Sequence, residues 1–210
     1  MPTLIYHITH IDNLPSIVEN EGLLSHTASC RKGIRHTSIA HQNIQDRRAF
    51  RKVPCGLGGV LHDYVPFYFA PRSPMLYTIS RGNVVGYNQG QTPVIYLVSS
   101  AEAVEAADLP FVGADGHAVM EYTGFFDDLS SLEYEIDWEI MAANFWANDE
   151  DGDRDRKRRR QAEFLVHNFF PWRLVTKIGV INTTIQAQVQ GILQNVNYKP
   201  PVRVYSNWYY

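Results

Sequence analysis

Glu163 is the residue whose setting most suggests chemistry. It follows RDRKRRR at 154–160, six basic residues in seven positions, and precedes the apolar Phe164, Leu165 and Val166. That apolar run predicts a strand from Glu163 to Val166. A carboxylate mounted on a rigid strand can stabilise positive charge developing on a sugar, and it can accept a proton from a nucleophile. Taken alone, Glu163 reads as readily as a surface carboxylate balancing the arginines before it, because charged side chains are mostly exposed. The basic run is either a solvated helix face or a patch that tracks phosphates.

Further candidates lie upstream. Arg47 and Arg48 sit side by side in a predicted helix, and either guanidinium can grip a phosphate bidentately. The sequence alone leaves open which of the two faces a cleft. His7 on the first strand and His62 each read, in isolation, as satisfied core histidines. HDYVPFYFAPRSPMLY at 62–77 carries aromatics and prolines in quick succession. Val65, Phe67 and Phe69 alternate with Tyr64, Pro66 and Tyr68, so one face is buried. We assign Tyr68 to the ligand side, where an aromatic face beside basic groups can stack on a nucleobase. Met75 belongs either to that face or to the core.

The motifs of several enzyme classes are missing. There is no HExxH, no GxxxxGK[ST] and no GxSxG, and GLGG at 56–59 is too short to read as a dinucleotide loop. These absences disfavour metalloproteases, P-loop NTPases, Rossmann enzymes and α/β-hydrolases. Two cysteines, Cys30 and Cys55, lack CxxC spacing, so no metal site is expected and two free thiols are the simplest reading.

The elements that must hold these residues are mixed. Strands are expected at 4–8, 64–69, 93–99, 163–166, 174–181 and 202–205. Helices are expected at 13–20, 39–50, 73–80, 100–107, 184–193 and from about 134 within 129–146. In the first of these helices Asp12 is the expected N-cap, Pro15 sits in the first turn and Gly22 closes the helix. Pro66 places its strand at a sheet edge or on an irregular stretch. Ile136, Ile140 and Met141 should be buried, and residues 148–153 form an acidic linker. No repeat or domain boundary is apparent, so residues 1–210 are expected to form one α+β domain with a mainly antiparallel sheet.

At 210 residues and a formal net charge of −3, nothing global marks a nucleic-acid binder. The charge is unevenly spread, however. Residues 121–153 hold eleven Asp or Glu and no Lys or Arg, while basic residues gather at 31–35, 47–52 and 154–160, an asymmetry that permits a basic cleft on an acidic protein. No charged-then-apolar leader and no stretch near 20 apolar residues is present, so a cytoplasmic protein without a membrane span is expected.

Four motifs in order resemble one known family. YHITHIDNLPSIVENEGLL at 6–24, IQDRRAF at 44–50, HDYVPFYFAPRSPML at 62–76 and QAEFLVHNFFPW at 161–172, with NWYY at the end, resemble the DarT toxins. The resemblance implies an ADP-ribosyltransferase-like fold with a split antiparallel β-sheet, surrounding helices and an NAD-binding cleft. It implies transfer of ADP-ribose from NAD to thymine in single-stranded DNA, reversed by a macrodomain antitoxin, DarG. By the same resemblance Glu163 and Arg48 are the catalytic pair, and His7, Thr9, Asn13 and Leu24, with Arg48, bind NAD. Tyr68, Met75 and His117 would meet the acceptor nucleotide, and Arg154 the DNA backbone. A monomer without metal is expected. An enzyme of the same fold acting on guanine, RNA or protein, and a non-catalytic nucleic-acid-binding module, remain the alternatives.

Overall fold

The structure, a computed structural model, describes residues 2–210. Ten strands carry the fold: β1 (Leu4–His10), β2 (Gly22–Leu24), β3 (Tyr64–Tyr68), β4 (Val94–Ser100), β5 (Phe111–Ala114), β6 (Phe125–Phe126), β7 (Glu163–His167), β8 (Phe169–Pro171), β9 (Lys177–Val180) and β10 (Val202–Val204). Eight of them form one sheet in the order β10-β9-β4-β1-β3-β7-β5-β6, and β2 pairs with β8 separately. All pairings in the large sheet are antiparallel except β9 with β10.

The sheet is split between β1 and β3. β1 runs along β4 through seven register pairs, and β3 along β7 through five, yet β1 and β3 share only Tyr6↔Tyr68. Pro66 lies beside the split. Its strand is therefore interior to the sheet order, contrary to the expectation of an edge, but its β1 side is locally an edge. A proline brings no N–H to be satisfied there, and its carbonyl accepts from His7 Nδ1 at 2.8 Å.

The helices are short: α1 (Leu14–Glu19), α2 (His26–Arg31), α3 (Gln42–Phe50), α4 (Pro74–Ser80), α5 (Ala101–Ala106), α6 (Leu132–Glu135), α7 (Trp138–Ala142), α8 (Arg156–Arg159) and α9 (Thr183–Ile192). Ser73, Ser100 and Asn182 cap α4, α5 and α9 through their side chains, as such residues do at orphaned N–H groups. Asn13, not Asp12, holds the cap position of α1 and makes no side-chain cap bond. Gly22 does not close α1 but opens β2, where an added Cβ would lie 2.2 Å from the Phe170 carbonyl oxygen.

The expected helix within 129–146 is broken. A 3-10 turn (Leu129–Ser131) leads into α6, Ile136 is extended, and Asp137 caps α7 by accepting from Ile140 N at 3.0 Å. Ile136, Ile140 and Met141 are nevertheless buried as expected. They join the larger core, which includes Ile5, Phe67, Leu97, Phe164, Val166 and Phe170. A second core of Tyr6, Ile8, Leu76, Ile79, Tyr96 and Val98 lies under the C-terminal Trp208 and Tyr209. No helix among the described residues is long and apolar enough to cross a membrane.

Candidate active site

A cavity of about 790 Å³ opens at the split. β1 contributes His7 and Thr9, β3 contributes Pro66 and Tyr68, and α3 lays one side along it. Register explains part of the convergence. Tyr68 is paired with Glu163 across β3 and β7, and Ala114 with Glu163 across β5 and β7, and directly paired residues share a sheet face.

Glu163 is 2 % exposed and both of its oxygens are engaged. Arg48 Nη1 donates to Oε2 at 2.8 Å. The Ala118 amide donates to Oε1 at 3.0 Å, and His117 Nδ1 lies 3.4 Å from the same oxygen. Burial alone would push the carboxyl up. The Arg48 charge, with hydrogen bonds from His117 and Arg48, outweighs it and holds the group down at about 2. Arg48 Nη2 is buried without a hydrogen-bond partner among the described residues. Arg47, by contrast, turns from the cleft and donates to the Val119 carbonyl at 3.0 Å.

That last contact belongs to a clamp. Arg51 donates to the carbonyls of Ala118 at 3.3 Å and Met120 at 3.0 Å. From the other side Arg158 pairs with Asp115 at 2.7 Å, and the Arg158 carbonyl accepts from the His117 amide at 3.1 Å. Residues 115–123 are a loop, yet three arginines fix the segment that presents His117 and the Ala118 amide to Glu163.

Of the residues singled out in the sequence, His7, Thr9, Asn13, Leu24, Arg48, Tyr68, Met75, His117 and Glu163 all line the cavity. Burial pushes His7 down to about 4, against the opposite pull of the Pro66 hydrogen bond. Asn13 bridges Thr9 Oγ1 at 3.0 Å and the Thr37 backbone, ordering the cavity wall. Tyr68 directs its hydroxyl to the Met75 sulfur at 3.5 Å, and burial pushes the phenol's pKa above its usual value, keeping it neutral.

Arg154 does not line the cavity; its Nε donates to the Glu150 carbonyl at 3.0 Å. Nor is the basic run a free phosphate patch. Arg159 pairs with Asp137 at 2.6 Å and with Asp153, and the buried Arg160 donates to the carbonyls of Ile140, Met141 and Pro71. The acidic stretch is the structural partner of the basic one.

Lys157 is the member of the basic run that lines the cavity, and sequence reasoning missed Gln161 and three further histidines, His26, His36 and His41, which also line it. His62, read from sequence as a core residue, joins them there. His26 and His62 pack with ring centroids 4.1 Å apart. Burial, with repulsion from His26 and Arg48, pushes His62 down to about 4. Histidines clustered in a stretch poor in apolar residues were the available signal.

The chain as a whole is similar to proteins already characterised. A DNA ADP-ribosyl transferase of Thermus aquaticus is 47% identical over 212 residues, covering 100% of this chain and 90% of that one. Two solved structures of Thermus sp. 2.9 DarT also superpose. The complex with ADP-ribosylated ssDNA gives a TM-score of 0.92 at 45% identity, over 100% of this chain and 97% of that one. The complex with NAD+ gives 0.88 at 44% identity, over 100% and 98%. A DNA ADP-ribosyl transferase–DNA ADP-ribosyl glycohydrolase fusion protein of Thermosipho africanus is 27% identical over 195 residues, covering 92% of this chain and 46% of the fusion. The family model described as ssDNA thymidine ADP-ribosyltransferase, DarT, matches residues 6–210. Since that model covers nearly the whole chain, the chain belongs to the DarT family.

Proposed function

We propose that this protein transfers ADP-ribose from NAD to a thymine base of single-stranded DNA, and that residues 1–210 act as one domain and as a monomer. The observation that carries this reading is the Arg48–Glu163–His117 constellation at the floor of a cavity large enough for a dinucleotide.

The residues fit NAD. The orphaned Arg48 Nη2 is a buried cation donor waiting for an oxygen, the role guanidinium groups fill on phosphates. Bound NAD supplies the ADP-ribosyl group and a nicotinamide leaving group. His7, Thr9, Asn13 and Leu24 form the wall against which it lies. Glu163, ionised and fixed, stabilises positive charge that develops on the ribose as that group departs. Because the carboxylate is already oriented by three donors, no reorganisation is needed as charge develops.

A base inside a duplex cannot reach this floor, so the acceptor is unpaired. Tyr68, Met75 and His117 flank the place where it would stack. The fused glycohydrolase of the Thermosipho relative supports a macrodomain antitoxin of the DarG kind as partner, and the protein acts in the cytoplasm.

The test is incubation with labelled NAD and single-stranded oligonucleotides that contain or lack thymine. Label confined to the thymine-bearing strands supports the reading. Label only on RNA, on protein or on strands without thymine overturns it.

A further inference from the structure

We propose that His117 is the group that takes the ring proton from the acceptor thymine, with Glu163 serving to orient and support it. The inference rests on the thymine-transfer reading above and assigns one of its steps to a side chain.

Thymine in DNA carries its sugar on N1, so N3 is the ring nitrogen that bears a hydrogen. In the transfer the N3–H bond breaks and its proton passes to His117 Nε2. The N3 electron pair forms a bond to the ribose C1′. The bond from C1′ to the nicotinamide nitrogen breaks, and its pair stays on that nitrogen, which discharges the pyridinium. His117 is left as an imidazolium beside the Glu163 carboxylate.

Glu163 is poorly placed to do this itself. Its Oε2 is taken by Arg48 and its Oε1 by the Ala118 amide and His117. The same contacts hold its carboxyl down at about 2, far below the range in which a proton acceptor works well at neutral pH.

His117 has the complementary geometry. A carboxylate can only accept, so the contact with Glu163 Oε1 places the ring hydrogen on Nδ1. Nε2 then carries the lone pair, and it has no hydrogen-bond partner among the described residues. The side chain is 17% exposed and borders the cavity. Its backbone is fixed at both ends, the amide to the Arg158 carbonyl and the carbonyl to Thr123 Oγ1 at 2.8 Å. The charged groups around it are Glu163 on β7, Arg48 on α3, and Lys157 and Arg158 on α8.

Neighbouring candidates are less suited. His7 Nδ1 meets the Pro66 carbonyl rather than a carboxylate that could support an imidazolium, and burial holds the ring down at about 4, while His62 Nε2 lies 3.2 Å from Gln45 Oε1. The Tyr68 hydroxyl is directed at Met75.

The experiment measures transfer to an oligonucleotide with a single acceptor base by the wild type, His117→Ala and His117→Gln, from pH 5.5 to 9. The base is thymine, deoxyuridine or 5-fluorodeoxyuridine, whose ring N–H is more acidic. Circular dichroism and NAD affinity report that each variant is folded. We expect both variants to lose about 100- to 10,000-fold in transfer to thymine. The dependence of the rate on pH should differ from that of the wild type. Added imidazole should restore part of the rate to His117→Ala, and the fluorinated base should narrow the deficit relative to deoxyuridine. A His117→Ala enzyme with the wild-type pH profile overturns the assignment. So does a deficit equal for all three bases and indifferent to imidazole. If the wild type itself leaves thymine unmodified, the transfer reading fails and this inference falls with it.

Discussion

Arg48 Nη1 donates to Glu163 Oε2 at 2.8 Å, joining a helix to a strand 115 residues further along the chain. Both side chains are almost wholly out of solvent. Under the proposed function the pair serves both fold and chemistry. Each charge compensates the other's desolvation, and the second guanidinium nitrogen is left free for a ligand.

Removing one partner strands the other. Arg48→Ala should destabilise the protein by about 3–5 kcal/mol, which lowers Tm by about 10 °C in a chain of this size. NAD affinity should fall as well. Arg48→Lys keeps the charge without the fork and should recover part of the stability but little of the affinity. Thermal unfolding with and without NAD measures both; a variant that loses neither stability nor affinity contradicts the pairing.

Acid should weaken the fold before its carboxylates titrate. His7 and His62 are both held near 4 by burial, below the unfolded value of about 6.5. Between these limits the unfolded chain binds more protons than the folded one, so stability falls as pH drops from about 6.5 towards 4. Tm should decline by roughly 5 °C between pH 7 and pH 5. His7→Gln should shrink that decline, and an unchanged profile would argue against the depressed imidazole.

Gly22→Ala tests the joint between β2 and β8. The added Cβ meets the Phe170 carbonyl oxygen at 2.2 Å, a backbone atom that cannot swing aside. Overpacking of this kind costs about 1–3 kcal/mol, so a Tm loss of several degrees is expected. Ala at Gly33, which has open space around it but a positive φ, should cost less.

Arg51→Ala should loosen the loop that presents His117 and the Ala118 amide. Turnover on DNA should drop about 10-fold or more, because misplacement of catalytic groups is costly even when small, while NAD affinity stays near that of the wild type. Arg154→Ala should disturb DNA turnover less than Lys157→Ala, since only Lys157 borders the cavity. Steady-state kinetics on one oligonucleotide separates these outcomes.

The strand bearing Glu163 was readable because FLV is a continuous apolar run. The strands bearing His7 and Tyr68 were readable as short β-rich segments, but periodicity left open which face of 64–69 is buried, and the ligand roles of both residues rested on the family resemblance. Which arginine of the pair faces inward was not readable. The few apolar residues of α3 do not form one dominant face, so periodicity gives no inner side, and Arg48 is buried where it meets Glu163. The basic run could be read only as a solvated face or a phosphate patch because its acidic partners, Asp115, Asp137 and Asp153, lie outside it in the chain. The clamp of Arg47 and Arg51 on loop carbonyls leaves no spacing signal, since any residue supplies a carbonyl. Pro66 followed its rule locally, beside a split in the sheet that only the tertiary pairing reveals.

The central claim is that Glu163 drives transfer of ADP-ribose to thymine in unpaired DNA. Mass spectrometry of a single-thymine oligonucleotide incubated with NAD and either the wild type or Glu163→Gln, below the Tm of both, tests it most directly. One ADP-ribosyl group should appear on the thymine with the wild type, and the rate should fall at least about 100-fold in the variant while NAD still binds. Undiminished modification by Glu163→Gln, or equal modification of a strand without thymine, would contradict the account.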